Sequence, residues 1–152
     1  MKDITKNLEF VLESTLDNIK HSSIEKSLTH GFGLFSTKDI DECVTLGCLD
    51  GQIITIVEYE NLKKRIENEI TPYANFFFME CNYIDDEKIL ARAFRTKYSY
   101  INHSRTPNLK IDLNNMSIIS TKNILAGDEF LLDYREESLP DDYLNGAKGE
   151  YL

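Results

Sequence analysis

Apolar residues recur at helical spacing in two segments of the chain. Over residues 2–20 the opposite face carries Lys, Asp, Glu and Asn, which predicts an amphipathic helix. The pattern fits both a helix that packs on the side of the domain and a helix that binds a partner. Its apolar positions are Ile4, Leu8, Val11, Leu12, Leu16 and Ile19. Residues 58–70 form a second predicted helix, with Leu62, Ile66 and Ile70 four apart, and Thr71-Pro72 ends it.

The intervening pattern is that of short strands joined by polar turns. The β-branched run at residues 52–57 predicts a buried strand, and Asp50-Gly51 before it is a hairpin signal. Residues 109–113 alternate between apolar and polar side chains, which is typical of a half-buried strand. Asn114-Asn115 then predicts a turn, after which residues 116–120 return as the hairpin partner.

Two further segments complete the predicted fold class. Residues 75–79 are a strand candidate, with Phe76 and Phe78 on one face and Phe77 on the other. These aromatic side chains fit a core, and they also fit the wall of a site. Residues 124–134 predict a turn followed by a last strand. Many short strands with few helices indicate a mainly β fold with α additions.

Composition and charge narrow the class of protein. A chain of 152 residues with 41% hydrophobic and 28% charged residues fits one soluble globular domain. It has no apolar run long enough to span a membrane and its N-terminus lacks the apolar block of a secretory signal, so we expect an intracellular protein. The net charge of −9 argues against a nucleic-acid surface and suits a basic protein partner.

The cysteines predict neither a disulfide framework nor a metal site. Cys43, Cys48 and Cys81 are odd in number and form no Cys-x-x-Cys pair. Buried, unreactive thiols are therefore the expected state of all three.

Three stretches concentrate polar groups and glycines that could hold a ligand. They are His-Gly-Phe-Gly-Leu-Phe at residues 30–35, Tyr-Ile-Asn-His-Ser-Arg-Thr-Pro-Asn at residues 100–108, and Ala-Gly-Asp-Glu-Phe-Leu-Leu-Asp-Tyr at residues 126–134. In this order they resemble the signatures of the SET-domain lysine methyltransferases: a first Gly-x-Gly, an Asn-His-Ser-x-x-Pro-Asn segment, and an acidic turn with a strand and a tyrosine. All three together are far more specific than any one of them.

The resemblance covers residues 22–135, so we expect a SET domain there, an N-terminal helix at 1–21 and an acidic tail at 136–152. It implies the β-clip fold of SET domains, with several short curved sheets and a C-terminal pseudoknot. In that pseudoknot the last strand is threaded through the loop after the Asn-His-Ser stretch. This threading would bring Asn102 and His103 next to Tyr134.

The resemblance also implies the reaction, a methyl transfer from S-adenosylmethionine to the ε-amine of a lysine in a protein substrate. An in-line displacement needs the lysine delivered end-on and deprotonated, which an apolar channel favours. The residues implied to hold the cofactor are His30, Gly31, Phe32, Gly33, Asn102 and His103. Tyr134 is implied to direct its hydroxyl at the transfer axis as the catalytic group. A plain turn, a structural histidine and a core tyrosine are the alternatives for these positions.

The substrate channel is less well defined by the motifs. Phe76, Tyr98 and Tyr100 are candidates because aromatic faces suit a cation or its methylated forms. Leu132 stands where the family often has Phe or Tyr, two residues before the catalytic tyrosine, and this leaves the number of methyl groups open.

The chain departs from zinc-binding members of the family in its C-terminal part. Arg105 stands where many members have a cysteine, and no cysteine follows Cys81, so we expect no zinc. Tyr143 or Tyr151 would then close that side of the site. Two other functions stay open at this point: a catalytically inactive SET-fold module that binds a basic partner, and an acidic adaptor that uses the N-terminal helix.

Overall fold

The computed structural model describes residues 7–69 and 79–152. Residues 1–6, which include Ile4, and most of the predicted strand at 75–79, which includes Phe76, lie outside the described residues. In the described ranges the architecture is mainly β, with several short strands in five small sheets and few helices.

The strands in chain order are β1 (Thr15–Leu16), β2 (Ser22–Lys26), β3 (Phe32–Ser36), β4 (Thr45–Cys48), β5 (Gln52–Thr55), β6 (Glu80–Tyr83), β7 (Lys88–Arg92), β8 (Arg95–Thr96), β9 (Asn102–His103), β10 (Leu109–Asp112), β11 (Ser117–Ser120) and β12 (Leu131–Leu132). The helices are α1 (Leu8–Ser14), α2 (Ile56–Glu69) and α3 (Asp141–Leu144), and the 3₁₀ turns are Lys97–Tyr100, Tyr134–Glu136 and Ala147–Gly149. None of these helices is long and apolar enough to cross a bilayer.

Two three-stranded sheets and three strand pairs make up the sheet structure of the described ranges. The three-stranded sheets have the orders β10-β11-β4 and β5-β7-β6, and both are antiparallel. β2 and β3 form a hairpin, whereas β1 pairs with β8 and β12 pairs with β9 in parallel. The helix predicted at 58–70 and the hairpin predicted at 109–120 correspond to α2 and to β10-β11.

β12 pairs in parallel with β9, which is the pairing expected at the C-terminal pseudoknot. Its register places Leu131 beside Asn102 and Leu132 beside His103. Asn108, in the loop after β9, donates its backbone N–H to the carbonyl of Leu131 at 3.2 Å and accepts the N–H of Leu131 on its side-chain oxygen at 2.8 Å. The loop and the last strand are therefore joined along the backbone, as the resemblance implied.

One hydrophobic core lies beneath these sheets and draws a residue from nearly every one of them. Phe130, just before β12, is fully buried, as are Leu34 of β3, Leu46 of β4 and Ile118 of β11. Leu132 of β12 joins the same cluster. Because each sheet is too small to hold a core of its own, burial of these shared side chains fixes the relative positions of the strands.

The N-terminal helix is shorter than the sequence predicts. α1 ends at Ser14, and Thr15 begins the parallel pairing of β1 with β8. The hydroxyls of Ser14 and Thr15 donate to the carbonyls of Phe10 and Val11 at 2.7 and 2.6 Å, which competes with continuation of the helix. Ile19 reaches the core from a loop, so its helical spacing was coincidental.

Three other expectations from the sequence were wrong. Asp50-Gly51 does not form a hairpin, because β4 and β5 on either side of it belong to different sheets. The strand after it is mostly exposed rather than buried, with Ile53 59% exposed, and α2 begins at Ile56. Cys43 and Cys48 are likewise exposed and Cys81 is half-buried, whereas buried thiols were expected. Cys43 lies in a turn, Cys48 ends β4, and Cys81 lies in β6 at the edge of its sheet.

A buried ion pair joins β6 to β7. Arg92 Nε donates to Glu80 Oε2 at 2.6 Å, and both side chains are almost completely buried. A second guanidinium nitrogen donates to the side chain of Asn82. The Glu80 carboxylate also accepts the backbone N–H of Thr96 and the hydroxyls of Thr96 and Ser99. This network fixes the 3₁₀ turn that leads into β9.

We predict that Arg92→Met destabilises the protein by about 3–5 kcal/mol, because it leaves the Glu80 carboxylate buried without its cation. Arg65→Met is the matched control, since Arg65 pairs with Glu69 on the surface of α2 and the pair should contribute less than about 0.5 kcal/mol. Urea denaturation of both variants measures the difference. Equal midpoints for the two would show that the buried pair does not stabilise the fold.

Candidate functional site

Two glycines at the turn between β2 and β3 are needed for different reasons, one for its backbone conformation and the other because a side chain would clash. Gly31 has a φ of +52°, a conformation that side chains disfavour. At Gly33 a Cβ would lie 2.2 Å from Glu129 Oε1, so the absence of a side chain allows this carboxylate to approach the strand. His30 is exposed and presents its backbone carbonyl inward.

The side-chain amide of Asn102 connects this turn to the last motif. Its nitrogen lies 2.7 Å from Glu129 Oε1 and 3.3 Å from each of the carbonyl oxygens of His30 and Phe32. Glu129 Oε1 also accepts the hydroxyl of Ser27 at 2.8 Å. The three motifs therefore meet at one amide group, and its oxygen accepts no hydrogen bond from the described residues.

Glu129 is a site residue to which the sequence analysis gave no role. It belongs to the acidic turn before the last strand. In the structure the Glu129 carboxylate lies against β3 at Gly33 and accepts a hydrogen bond from the Asn102 amide, which orients that side chain. The sequence did contain a signal for this role, because Gly33 and Glu129 belong to two of the three stretches that resemble the family signatures.

His103 is held as a neutral imidazole. Its Nδ1 accepts the backbone N–H of Tyr134 at 3.1 Å, so the ring proton must be on Nε2. Burial lowers the pKa of His103, with Arg105 and Arg135 acting in the same direction against Asp133. The 3.8 Å approach of Nδ1 to Asp133 is accordingly a contact rather than an ion pair. His103 Nε2 is buried and has no partner among the described residues.

The phenol of Tyr134 lies beside the His103 ring, with ring centroids 5.4 Å apart. Its hydroxyl donates to the carbonyl of Ile101. Burial raises the pKa of Tyr134 to about 12, and nearby Tyr143 and Glu137 add to this effect. The hydroxyl is therefore neutral at physiological pH, and its remaining lone pair is free to accept.

A cavity of 580 Å³ lies against these groups, and we call it the polar cavity because every residue that lines it carries a polar side chain. Its lining residues are Thr29, His30, Ser99, Asn102, His103, Tyr134 and Tyr151. Four of the predicted site residues, from three different motifs, thus line one cavity. Gly31, Phe32 and Gly33 support the cavity through the backbone that holds Asn102.

A second cavity, of 350 Å³, lies on the other side of Tyr134. We call it the tyrosine cavity because six tyrosines line it: Tyr59, Tyr83, Tyr98, Tyr134, Tyr143 and Tyr151. Ser99, Tyr134 and Tyr151 line both cavities, so the phenol of Tyr134 stands at the boundary between them. Tyr151 is held there by a hydrogen bond of 3.0 Å between its hydroxyl and that of Tyr143.

The predicted channel residues divide between this cavity and the core. Tyr98 lines the tyrosine cavity. Tyr100 instead lies in the hydrophobic core, where its hydroxyl accepts from Thr15 at 3.4 Å. Leu132 belongs to the same core and is fully buried. The 3₁₀ turn before β9 accounts for the difference between the two tyrosines, because it turns them to opposite sides.

An acidic groove of 830 Å³ adjoins the tyrosine cavity. Five carboxylate residues line it: Glu60, Asp85, Asp86, Asp141 and Asp142. It shares Tyr83, Leu139 and Tyr143 with the tyrosine cavity, so the two lie next to each other.

Arg105, which replaces the family's zinc-binding cysteine, has an electrostatic role. Its guanidinium donates to Asp133 Oδ2 at 2.7 Å, and the other oxygen of this buried carboxylate accepts the N–H of Arg135 at 3.0 Å. Within residues 7–69 and 79–152, no three His, Cys, Asp or Glu side chains cluster in a way that could hold a metal ion. The expected lack of zinc stays a prediction.

Comparison with known proteins agrees with the motifs and with the fold. The model of the SET domain family matches residues 31–135. Histone-lysine N-methyltransferase MEDEA from Arabidopsis thaliana is 29% identical over 135 residues, which is 85% of this chain and 18% of that protein. A crystal structure of CpSET8 from Cryptosporidium has a TM-score of 0.54 at 20% identity, covering 74% of this chain and 56% of that one.

These relatives differ in extent from this chain, which spans less than a fifth of the plant protein and about half of the crystallised one. The likeness to CpSET8 shows the fold, in agreement with the short sheets and the pseudoknot. The family model covers more than half of the chain and contains the Gly-x-Gly turn at 31–33 and the two later motifs. The protein therefore belongs to the SET domain family.

Proposed function

We propose that this protein transfers a methyl group from S-adenosylmethionine to the ε-amine of a lysine in a protein substrate. The observation that carries this proposal is the position of Tyr134, whose phenol lines both the polar cavity and the tyrosine cavity. A bisubstrate reaction needs two sites that meet at the reacting atoms, and this arrangement supplies them. The plant relative is named a histone-lysine methyltransferase, which supports the same reaction class.

The groups around the polar cavity fit S-adenosylmethionine. The cofactor carries an ammonium, a carboxylate and an adenine, and the cavity offers both acceptors and donors to them. The amide oxygen of Asn102 and the backbone carbonyl of His30 can accept. The Nε2–H of His103, which has no partner within residues 7–69 and 79–152, can donate. Asn102, His103 and the His30 turn would therefore hold the cofactor, which supplies an activated methyl group on its sulfonium.

The chain's own residues would orient the amine and exclude water. The neutral Tyr134 hydroxyl can accept weak C–H contacts from a polarised methyl group because its proton is directed at Ile101. Tyr98 and Tyr83 offer aromatic faces to a lysine side chain and its methylated forms. Aromatic walls that displace water from a bound lysine would also lower its pKa.

The position of the acidic groove next to the tyrosine cavity supports a basic substrate. A lysine bound in the tyrosine cavity would leave its neighbouring residues over Asp85, Asp86 and Asp141. Carboxylates at these positions would attract Lys or Arg close to the modified residue and steer the peptide on approach. The inactive-module alternative gains no support, since the predicted catalytic and cofactor positions meet at one cavity.

We predict that Tyr134→Phe lowers the rate of methyl transfer by about tenfold to a hundredfold while leaving cofactor binding intact, because it removes only the hydroxyl at the boundary of the two cavities. Transfer of a labelled methyl group to basic proteins measures the rate, and calorimetry with S-adenosylmethionine measures binding. Tyr100→Phe is the matched control, because its hydroxyl lies in the core, and it should keep both properties. Full activity in Tyr134→Phe would contradict the assigned role.

We further predict that Asp141→Asn with Asp142→Asn raises KM for a basic peptide several-fold and flattens its salt dependence, with kcat unchanged. The pair Glu9→Gln with Glu13→Gln makes the same charge change on α1 and should leave KM unaltered. Steady-state kinetics from low to high salt distinguishes the two variants. An equal effect in both would mean that net charge alone attracts the substrate.

A further inference from the structure

Glu137 is a titratable residue that lines the tyrosine cavity, and the proposed methyl transfer assigns it no role. Two carboxylate residues line that wall, Glu80 and Glu137. Glu80 is committed to Arg92, Thr96 and Ser99 through its hydrogen bonds. The carboxylate of Glu137 makes no hydrogen bond or ion pair with any described residue, although the residue is half-buried.

The backbone sets Glu137 close to Tyr134. The 3₁₀ turn that begins at Tyr134 ends when the backbone N–H of Glu137 donates to the Tyr134 carbonyl at 3.2 Å. Both side chains consequently line the same cavity, one turn apart. A carboxylate without a cation in such a place is costly, and it creates a site for a positively charged ligand.

The electrostatics of the cavity agree with this placement. Burial, together with the nearby charges of Glu136 and Asp133, raises the pKa of Glu137 to about 7. The Glu137 carboxylate in turn adds to the effect of burial in raising the pKa of Tyr98, and of Tyr134. Glu137 therefore exchanges its proton close to neutral pH, where a general base works best.

We infer that Glu137 binds the ε-ammonium of the substrate lysine and accepts its proton before methyl transfer, an inference that rests on the proposed function. One N–H bond of the ammonium breaks and one O–H bond forms on the carboxylate. The ion pair thereby becomes a neutral amine, with its lone pair free, and a neutral carboxylic acid. The proton leaves Glu137 for solvent when the product departs.

Among the described residues that line the tyrosine cavity, no other group is suited to accept the proton of the lysine. The phenols of Tyr59, Tyr83 and Tyr98 have pKa values raised chiefly by burial, so they stay protonated and are poor bases. Burial also raises the pKa of the Cys81 thiol. The groups that face Glu137 or share its turn are Tyr98, Tyr134, Tyr143, Tyr151, Glu80, Asp133, Glu136 and Arg135, whose guanidinium donates to the carbonyl of Leu152.

The test compares Glu137→Gln with Glu136→Gln in the full chain, using S-adenosylmethionine and a lysine peptide that the wild type methylates. Both kcat and kcat/KM are measured from pH 5.5 to 9. We expect the wild-type kcat/KM, which reports the groups of the free enzyme, to fall below about pH 7 as Glu137 becomes protonated. In Glu137→Gln, kcat at pH 8 should fall by about a hundredfold or more, and the acidic limb near pH 7 should vanish. Glu136→Gln should keep its rate, with the limb moved slightly to lower pH because a like charge is lost.

A second measurement separates the loss of a base from misfolding. Since the pKa of Glu137 is raised on folding, its contribution to stability is lost as pH rises from about 4.5 to about 7. Glu137→Gln should therefore melt at a higher temperature than the wild type at pH 8 and at the same temperature at pH 4. A peptide carrying S-aminoethylcysteine, whose amine is less basic than that of lysine, should recover more rate in Glu137→Gln than in the wild type.

An unchanged acidic limb in Glu137→Gln would overturn the inference, whether or not KM rises. A higher KM with an unaltered kcat profile would leave Glu137 as a cation-binding group and exclude it as the proton acceptor. Absence of transfer by the wild type would instead overturn the proposed function, and the inference with it. Activity in the wild type and in Glu136→Gln distinguishes these two failures.

Discussion

The pairing of the last strand with the segment that carries Asn102 and His103 is the constraint on which the rest of this protein depends. β12 has only two residues, and their backbone groups are satisfied by β9 and by the loop that ends at Asn108. Without this pairing, the N–H of Tyr134 would lose His103 as its acceptor, and the tautomer of that ring would no longer be fixed. The same short strand thus closes the fold and places the phenol between the two cavities.

Burial acts in opposite ways on the charged groups around this pairing. Glu80 and Arg92 satisfy each other, so their burial fixes the approach to β9. Glu137 has no such partner in the described part of the chain, and its burial raises its pKa instead. A folded protein that keeps an unpaired carboxylate in an aromatic cavity gives up stability for it, which is the pattern expected of a functional group. The acidic groove beside that cavity extends the same preference for cations to the surface.

The sequence predicted the fold class and the main helix and hairpin, because periodicity is a local property. It could not predict the parallel pairing behind the pseudoknot from spacing, and only the order of the motifs indicated that Asn102 and Tyr134 meet. Tyr100 was misplaced because a 3₁₀ turn, rather than a strand, sets which side it faces. Glu137 was missed because an acidic tail suggests solvent exposure, whereas tertiary packing determines its burial. Asp50-Gly51 showed that a turn signal does not specify which strands it joins.

The most direct test of this account is a crystal structure of the protein with S-adenosylhomocysteine. The account predicts that the ligand occupies the polar cavity, contacts Asn102 and His103, and directs its sulfur toward the Tyr134 hydroxyl. A ligand bound elsewhere on the protein would contradict the account, as would a folded protein that binds no ligand at millimolar concentration.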